Sequence, residues 1–194
     1  MIVLGLTGSI GMGKTTAARI FRQLGVPVFD ADRCVHDLYE GAAVEPLASF
    51  FPTAILEGRV NRDELGALVL ADAEGMSKLE RVVHPLVHAQ RLKFLDSMRS
   101  NGQPLIVVDV PLLFETGGSA DVDAIIVVSA SAFDQRERVL ARPGMNEAKL
   151  DAILERQLPD AEKRRRAHFI VKTSCGVASA RRQLITIIAS VKNR

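Results

Sequence analysis

With 194 residues, 47% hydrophobic and 25% charged, and a formal net charge of +2, the chain has the balance of a soluble globular protein with one good core and room for a subdomain. One Tyr, no Trp and the small charge exclude an aromatic platform for single strands and a broad nucleic-acid-binding face. Cys34 and Cys175 form no CxxC pair and no apolar run is long enough to cross a bilayer, so a reduced, cytoplasmic protein with no membrane partner is expected.

The first predicted strand, Ile2–Thr7, runs straight into Gly8-Ser9-Ile10-Gly11-Met12-Gly13-Lys14-Thr15-Thr16, and a helix is expected from Gly13 to Leu24, closed by Gly25 and Pro27. The segment fits G-x-x-x-x-G-K-[ST] in the strand-to-helix context that gives the motif meaning. Its glycines let successive N–H groups point at a polyphosphate, and the helix adds its positive end. Lys14 is expected on the β- and γ-phosphates and Thr15 on a magnesium ion carried with the nucleotide.

The second strand, Pro27–Asp30, leads into Asp30-Ala31-Asp32. Strand carboxyl ends line the ligand crevice of an open parallel sheet, so a carboxylate here can take the proton of an attacking hydroxyl. Either Asp can also serve as an N-cap for the helix that follows. Residues 31–103 have helical patterning and almost no strand signal, far more than a crossover needs, and are expected to form a helical insertion. Within it His84-Pro85-Leu86-Val87-His88 lacks the Glu of H-E-x-x-H, which argues against zinc. Pro85 suits a first helical turn and would make His84 a boundary residue, with a polar contact to substrate left open.

Leu105–Asp109 reads as a buried strand whose final carboxylate, Asp109, is placed to hold the metal. Val110-Pro111-Leu112-Leu113-Phe114-Glu115 then forms either a wall of the crevice or a loop packed on the core. Ala124–Ser129 is the fourth strand, and residues 131–166 are charged and helical, with nine Arg or Lys from Arg136 to Arg166. Most of these are expected on a solvated face. Arg138 and Arg142, four apart on one helix before Pro143-Gly144, are the pair selected to meet the triphosphate. His168–Val171 is the fifth strand, and Gly176–Lys192 a helix with Leu184, Ile187, Ile188 and Val191 on one face.

The alternation implies an α/β chain with the three-layer P-loop NTPase fold: a parallel five-stranded sheet, a helical substrate-binding insertion and a helical lid. Residues 1–30 and 104–194 are expected to form the nucleotide-binding core, with the lid at about 131–166, and 31–103 the acceptor-substrate insertion. No guanine-reading N-K-x-D segment follows a later strand. The size, insertion and basic lid favour a small-molecule kinase that closes over both substrates.

These segments together resemble the dephospho-coenzyme A kinase family nearly end to end. The P-loop Leu6–Thr16, the D-A-D of Val28–Asp32, the R-x-x-L of Arg62 to Leu65, the H-P of His84-Pro85 and the V-P-L-L-F-E of Val110–Glu115 carry the resemblance, with Arg138, Arg142 and Gln157 at lid-like spacings. It implies transfer of the γ-phosphoryl of ATP, as its magnesium complex, to the ribose 3′-hydroxyl of dephospho-coenzyme A, with no obligate protein partner evident. It also implies Asp32 as base or hydroxyl-orienting residue, Lys14 and Thr15 on phosphate and metal, Arg62, His84 and the loop near Leu113 toward the acceptor, and Arg138 and Arg142 on ATP. The chain departs from the family's A-D-F/Y-V-I-x-N-x-G, with His168 for the acid and Thr173 for the Asn, in a segment expected beside the adenine. The alternatives are another small-molecule P-loop kinase and a nucleotide-dependent binding module.

Overall fold

A computed structural model describes residues 1–70 and 72–192; residue 71 and residues 193–194, which fall in the ranges expected for the insertion and the core, lie outside the described residues. The chain divides into two compact units, Met1–Phe29 with Asn101–Arg194, and Asp30–Ser100. In chain order the first unit supplies β1 (Ile2–Thr7), α1 (Lys14–Gln23) and β2 (Val28–Asp30), the last ending at the boundary. The second unit holds α2 (Ala31–Tyr39), α3 (Val44–Ala48), β3 (Ile55–Leu56), β4 (Arg59–Val60), α4 (Arg62–Leu70) and α5 (Ala73–Ser100). The chain then returns through β5 (Leu105–Asp109), β6 (Ala124–Ser129), α6 (Ala132–Leu140), α7 (Glu147–Arg156), α8 (Asp160–Arg166), β7 (Phe169–Lys172) and α9 (Gly176–Lys192).

The first unit is built on a parallel five-stranded sheet in the order β2-β5-β1-β6-β7. Side chains alternate across it with period two. Leu4, Leu6, Ile126 and Val128 face a core made with Ala17, Phe21, Leu184 and Ile187 of α1 and α9. Ile125 and Val127 face the other way, onto Leu113, with Val122 and Ala167 packed against them. Strands buried on both faces explain why their sequences are near-continuous apolar runs.

The second unit packs Leu38, Tyr39, Leu47, Leu65, Val69 and Val83 into a core of its own. The insertion is helical apart from one small hairpin, and the expectation for Pro85 fails. Residues 55–60 form an antiparallel hairpin of two-residue strands, turned at Glu57 (φ 50°) and Gly58 (φ 73°). Pro85 also lies inside the 28-residue α5 instead of in a first turn. A proline there removes one helical hydrogen bond and costs about 3 kcal/mol. Val83 is buried in the unit's core and Met76, Leu79, Val82, Leu86 and Val87 pack against it, and their burial carries the helix through the proline.

Candidate active site

The loop between β1 and α1 has the backbone that its glycines allow. Gly11 (φ 76°) and Gly13 (φ 95°) occupy the left-handed region. Gly8 is required for space: a Cβ there would stand 2.4 Å from Val128 Cγ2 and 2.8 Å from the Val128 carbonyl oxygen. Gly8→Ala must therefore push the loop off β6. It is expected to lose about 1–3 kcal/mol of stability together with nucleotide affinity, read by thermal denaturation and ATP titration.

Helix α1 begins at this loop with no side chain capping its amides and no acid in its first turn. By contrast α2, α6 and α7 are capped by Asp30, Ser131 and Asn146. Uncapped first-turn N–H groups with the positive end of the helix macrodipole form an anion site. Lys14 stands at its mouth, Nζ 2.9 Å from Asp109 Oδ1, with side-chain exposures of 14% and 3%. β1–β5 pairing puts Asp109 opposite Leu6, so the ammonium and the carboxylate meet because neighbouring parallel strands end together. Thr15 and Thr16 follow in the first turn, Thr15 exposed.

Four side chains from the C-terminal half fix this loop. Gln135 Nε2 donates to the Ile10 carbonyl at 2.7 Å, and the Ile10 N–H donates to Gln157 Oε1 at 3.1 Å. The Arg138 guanidinium donates to the Thr173 carbonyl at 3.0 Å, to Thr173 Oγ1 at 3.1 Å and to the Gly11 carbonyl at 3.4 Å. Buried Thr173 in turn donates to the Met12 carbonyl at 2.9 Å. Arg138 is therefore at the phosphate loop, bound to the Gly11 and Thr173 carbonyls. Arg142 is not aligned with it: α6 ends at Leu140, and Arg142 lies exposed beyond the helix. The reason is Pro143, which disfavours helical dihedrals at the residue before it.

The V-P-L-L-F-E loop leaves β5 at Asp109, and Thr7 Oγ1 donates to the Pro111 carbonyl at 2.9 Å. Leu113 is a core residue at 1% exposure, packed with Ile125 and Val127; Leu112 is the exposed one, at 37%. Glu115 closes the loop, its Oε1 accepting the Leu158 N–H at 2.8 Å and lying 2.9 Å from Lys163 Nζ. Burial pushes the Glu115 carboxyl up, but the Lys163 ammonium and backbone N–H groups outweigh it and hold it below the usual range.

In the second unit the two aspartates separate in role. Asp30 is the N-cap of α2, accepting the Arg33 N–H at 3.1 Å, whereas Asp32 stands exposed in the first turn. Arg62 opens α4, where Asn61 Oδ1 accepts the N–H groups of Asp63 and Glu64 at 3.0 and 3.2 Å. Its partner in R-x-x-L, Leu65, is 2% exposed and anchors that turn in the core. Burial raises the Tyr39 hydroxyl pKa, and the Arg62 charge opposes it. His84 and His88 are exposed, one turn apart on α5. Among the described residues no three His, Cys, Asp or Glu gather into a metal site, and no helix is long and apolar enough to cross a membrane.

The model of the family described as dephospho-CoA kinase matches residues 2–179. The chain is 53% identical over 188 residues to a dephospho-CoA kinase of Rhodopseudomonas palustris strain HaA2, covering 97% of this chain and 94% of that one. It belongs to the dephospho-CoA kinase family. Among solved structures it resembles TT1252 from Thermus thermophilus (TM-score 0.88, 33% identity, 97% of this chain and 96% of that one). It also resembles the dephospho-CoA kinase from Campylobacter jejuni (TM-score 0.74, 25% identity, 98% and 97% covered).

The two departures from the family's pattern separate in space. Thr173 is at the phosphate loop. His168 is at the opposite end of the same strand, roughly 16 Å away along β7 at 3.3 Å per residue. There the Ile125 N–H donates to His168 Nδ1 at 3.1 Å while the His168 N–H donates to the Ile125 carbonyl at 2.9 Å. Asp123 treats Val3 the same way, accepting its N–H at 2.7 Å and donating to its carbonyl at 2.8 Å. His168, with its proton on Nε2, thus does an aspartate's work at the start of a strand pair. His168→Asp is expected to leave stability within about 0.5 kcal/mol and ATP affinity unchanged, measured by thermal denaturation and ATP titration.

Proposed function

We propose that this chain transfers the γ-phosphoryl group of ATP to the ribose 3′-hydroxyl of dephospho-coenzyme A, forming coenzyme A and ADP, the last step of coenzyme A biosynthesis. The observation that carries the nucleotide half is the uncapped helix α1 with Lys14 paired to Asp109 at its mouth. The acceptor half rests on membership of the family across residues 2–179. Residues Gly8 to Thr16 hold the polyphosphate through backbone N–H groups, and Lys14 turns from Asp109 to the β- and γ-phosphates. Arg138, from its brace on the loop, is the cation assigned to ATP. Residues 131–166 serve as the lid and the second unit as the acceptor-binding insertion, offering Asp32, Arg62 and His84, while the loop through Leu113 faces the acceptor.

Asp32 accepts the proton of the 3′-hydroxyl as its oxygen forms a bond to the γ-phosphorus. The bond from that phosphorus to the bridging oxygen breaks, and ADP leaves with the electron pair. The donor set fits magnesium, because the Thr15 hydroxyl, the Asp109 carboxylate and phosphate oxygens are all hard ligands. Magnesium, when bound with ATP, neutralises charge on the β- and γ-phosphates. A reaction drawing on ATP and a soluble coenzyme precursor is placed in the cytoplasm.

The test is ADP release by the purified protein with Mg-ATP, with and without dephospho-coenzyme A. Acceptor-dependent release supports the reading. Release stimulated only by another hydroxyl compound would assign another kinase, and slow release indifferent to any acceptor would assign a binding module.

A further inference from the structure

Lys163 is 0% exposed, although it opens the run Lys163-Arg164-Arg165-Arg166, whose other members are on the surface. Its Nζ lies 2.9 Å from Glu115 Oε1 in a charge contact, with no well-formed hydrogen bond to it among the described residues. A lysine buried this way is costly, and an apolar residue of the same volume would often stabilise the fold more. Its retention needs a reason outside stability.

The neighbouring bonds supply one. Residues 157–163 are tied at three places. Gln157 Oε1 accepts the Ile10 N–H in the phosphate loop, Asp160 Oδ2 accepts from Ser129 Oγ at 2.8 Å at the end of β6, and Leu158 N and Lys163 Nζ both meet Glu115 Oε1. Glu115 closes the loop that Asp109 opens. The near end of that loop is therefore set by the carboxylate paired with Lys14, and its far end by Lys163.

We infer that the pairing of buried Lys163 with Glu115 at the surface positions the loop 110–115 for the acceptor substrate, by tying its far end to the segment whose Gln157 holds the phosphate loop. Both are positioning residues, since neither is assigned to substrate. The acceptor part rests on the proposed function; the tie between loop and nucleotide side does not.

The experiment compares wild type with Lys163→Met and with the double variant Lys163→Met, Glu115→Leu, which removes both charges. The first readout is hydrogen exchange with and without Mg-ATP. In wild type the nucleotide is expected to protect residues 110–115 together with 157–163; in both variants protection stays at 157–163 and is lost at 110–115. The second readout is kinetic: kcat/KM for dephospho-coenzyme A falls about ten- to a hundredfold while ATP affinity stays within about twofold of wild type. The double variant is expected to regain thermal stability without regaining either property. Recovery of loop protection along with stability would reduce the pair to a structural role and overturn the inference, as would unchanged protection in Lys163→Met. Wild-type protection without acceptor-dependent turnover would instead defeat the proposed reaction and leave the tie standing.

Discussion

Asp32→Asn is expected to lower kcat by about 10²–10⁴-fold, the range for losing a positioned general base, with ATP affinity unchanged. Asn keeps the shape and can still hold a hydroxyl, so the loss isolates proton acceptance. Asp32 is exposed in the first turn of α2, where an acid contributes about 0.3–1 kcal/mol against the helix dipole. The capping bond belongs to Asp30. Asp30→Asn is therefore the control: Asn caps as well as Asp, and its kcat is expected to stay within a few-fold of wild type. Steady-state kinetics on the two variants, with unfolding curves to match, separate the roles. Equal losses in both would remove Asp32 from the role of base.

Lys14→Met carries the second large effect. Removing one charged donor aimed at developing negative charge costs about 10²–10³-fold in rate, and ground-state phosphate binding weakens as well, so kcat/KM for ATP falls by at least that much. Stability falls too. The Lys14 ammonium lies 2.9 Å from an Asp109 carboxylate that is 3% exposed. Taking one partner from such a pair costs on the order of 3 kcal/mol. Asp109→Asn lightens that burden, so Lys14→Met, Asp109→Asn is expected to recover part of the lost stability and none of the activity. Unfolding midpoints and ATP titration across the four proteins measure both parts. Recovery of activity in the double variant would mean that Lys14 serves only the fold.

The phosphate loop and the sheet were legible because local chemistry dictates them. β1, β5 and β6 are apolar runs buried on both faces and bounded by turn residues, and the helix α9 repeats its apolar residues every three to four. Asp30 and Asp32 could not be told apart in sequence, since both are good caps; a single bond to Arg33 N–H separates them. Pro85 misled because its cost is local while the burial that outweighs it comes from packing against residues distant in sequence, such as Leu38, Leu47 and Leu65. Arg142 was four residues from Arg138, but the spacing carries meaning only if the helix continues, and Pro143 ends that. The hairpin at 55–60 is too short to leave a period.

Lys163 shows the deeper limit. Inside a run of four basic residues it reads as solvated, and its partner Glu115 lies 48 positions earlier in the chain. No local pattern marks such a pair. His168 was conspicuous as a departure, and its place at the start of the β6–β7 pairing, where its Nδ1 accepts the Ile125 N–H, is a backbone role that no local pattern announces. Gln135, which takes the Ile10 carbonyl, was read only as part of a charged helix.

The measurement that bears most directly on the central claim is the position of the new phosphate. Purified protein is incubated with Mg-ATP and dephospho-coenzyme A, and the product is assigned by mass and by phosphorus–proton correlation in nuclear magnetic resonance. The account predicts one phosphate on the ribose 3′-oxygen, formed in step with one ADP. A phosphate at any other position, or ADP without a phosphorylated acceptor, would contradict it.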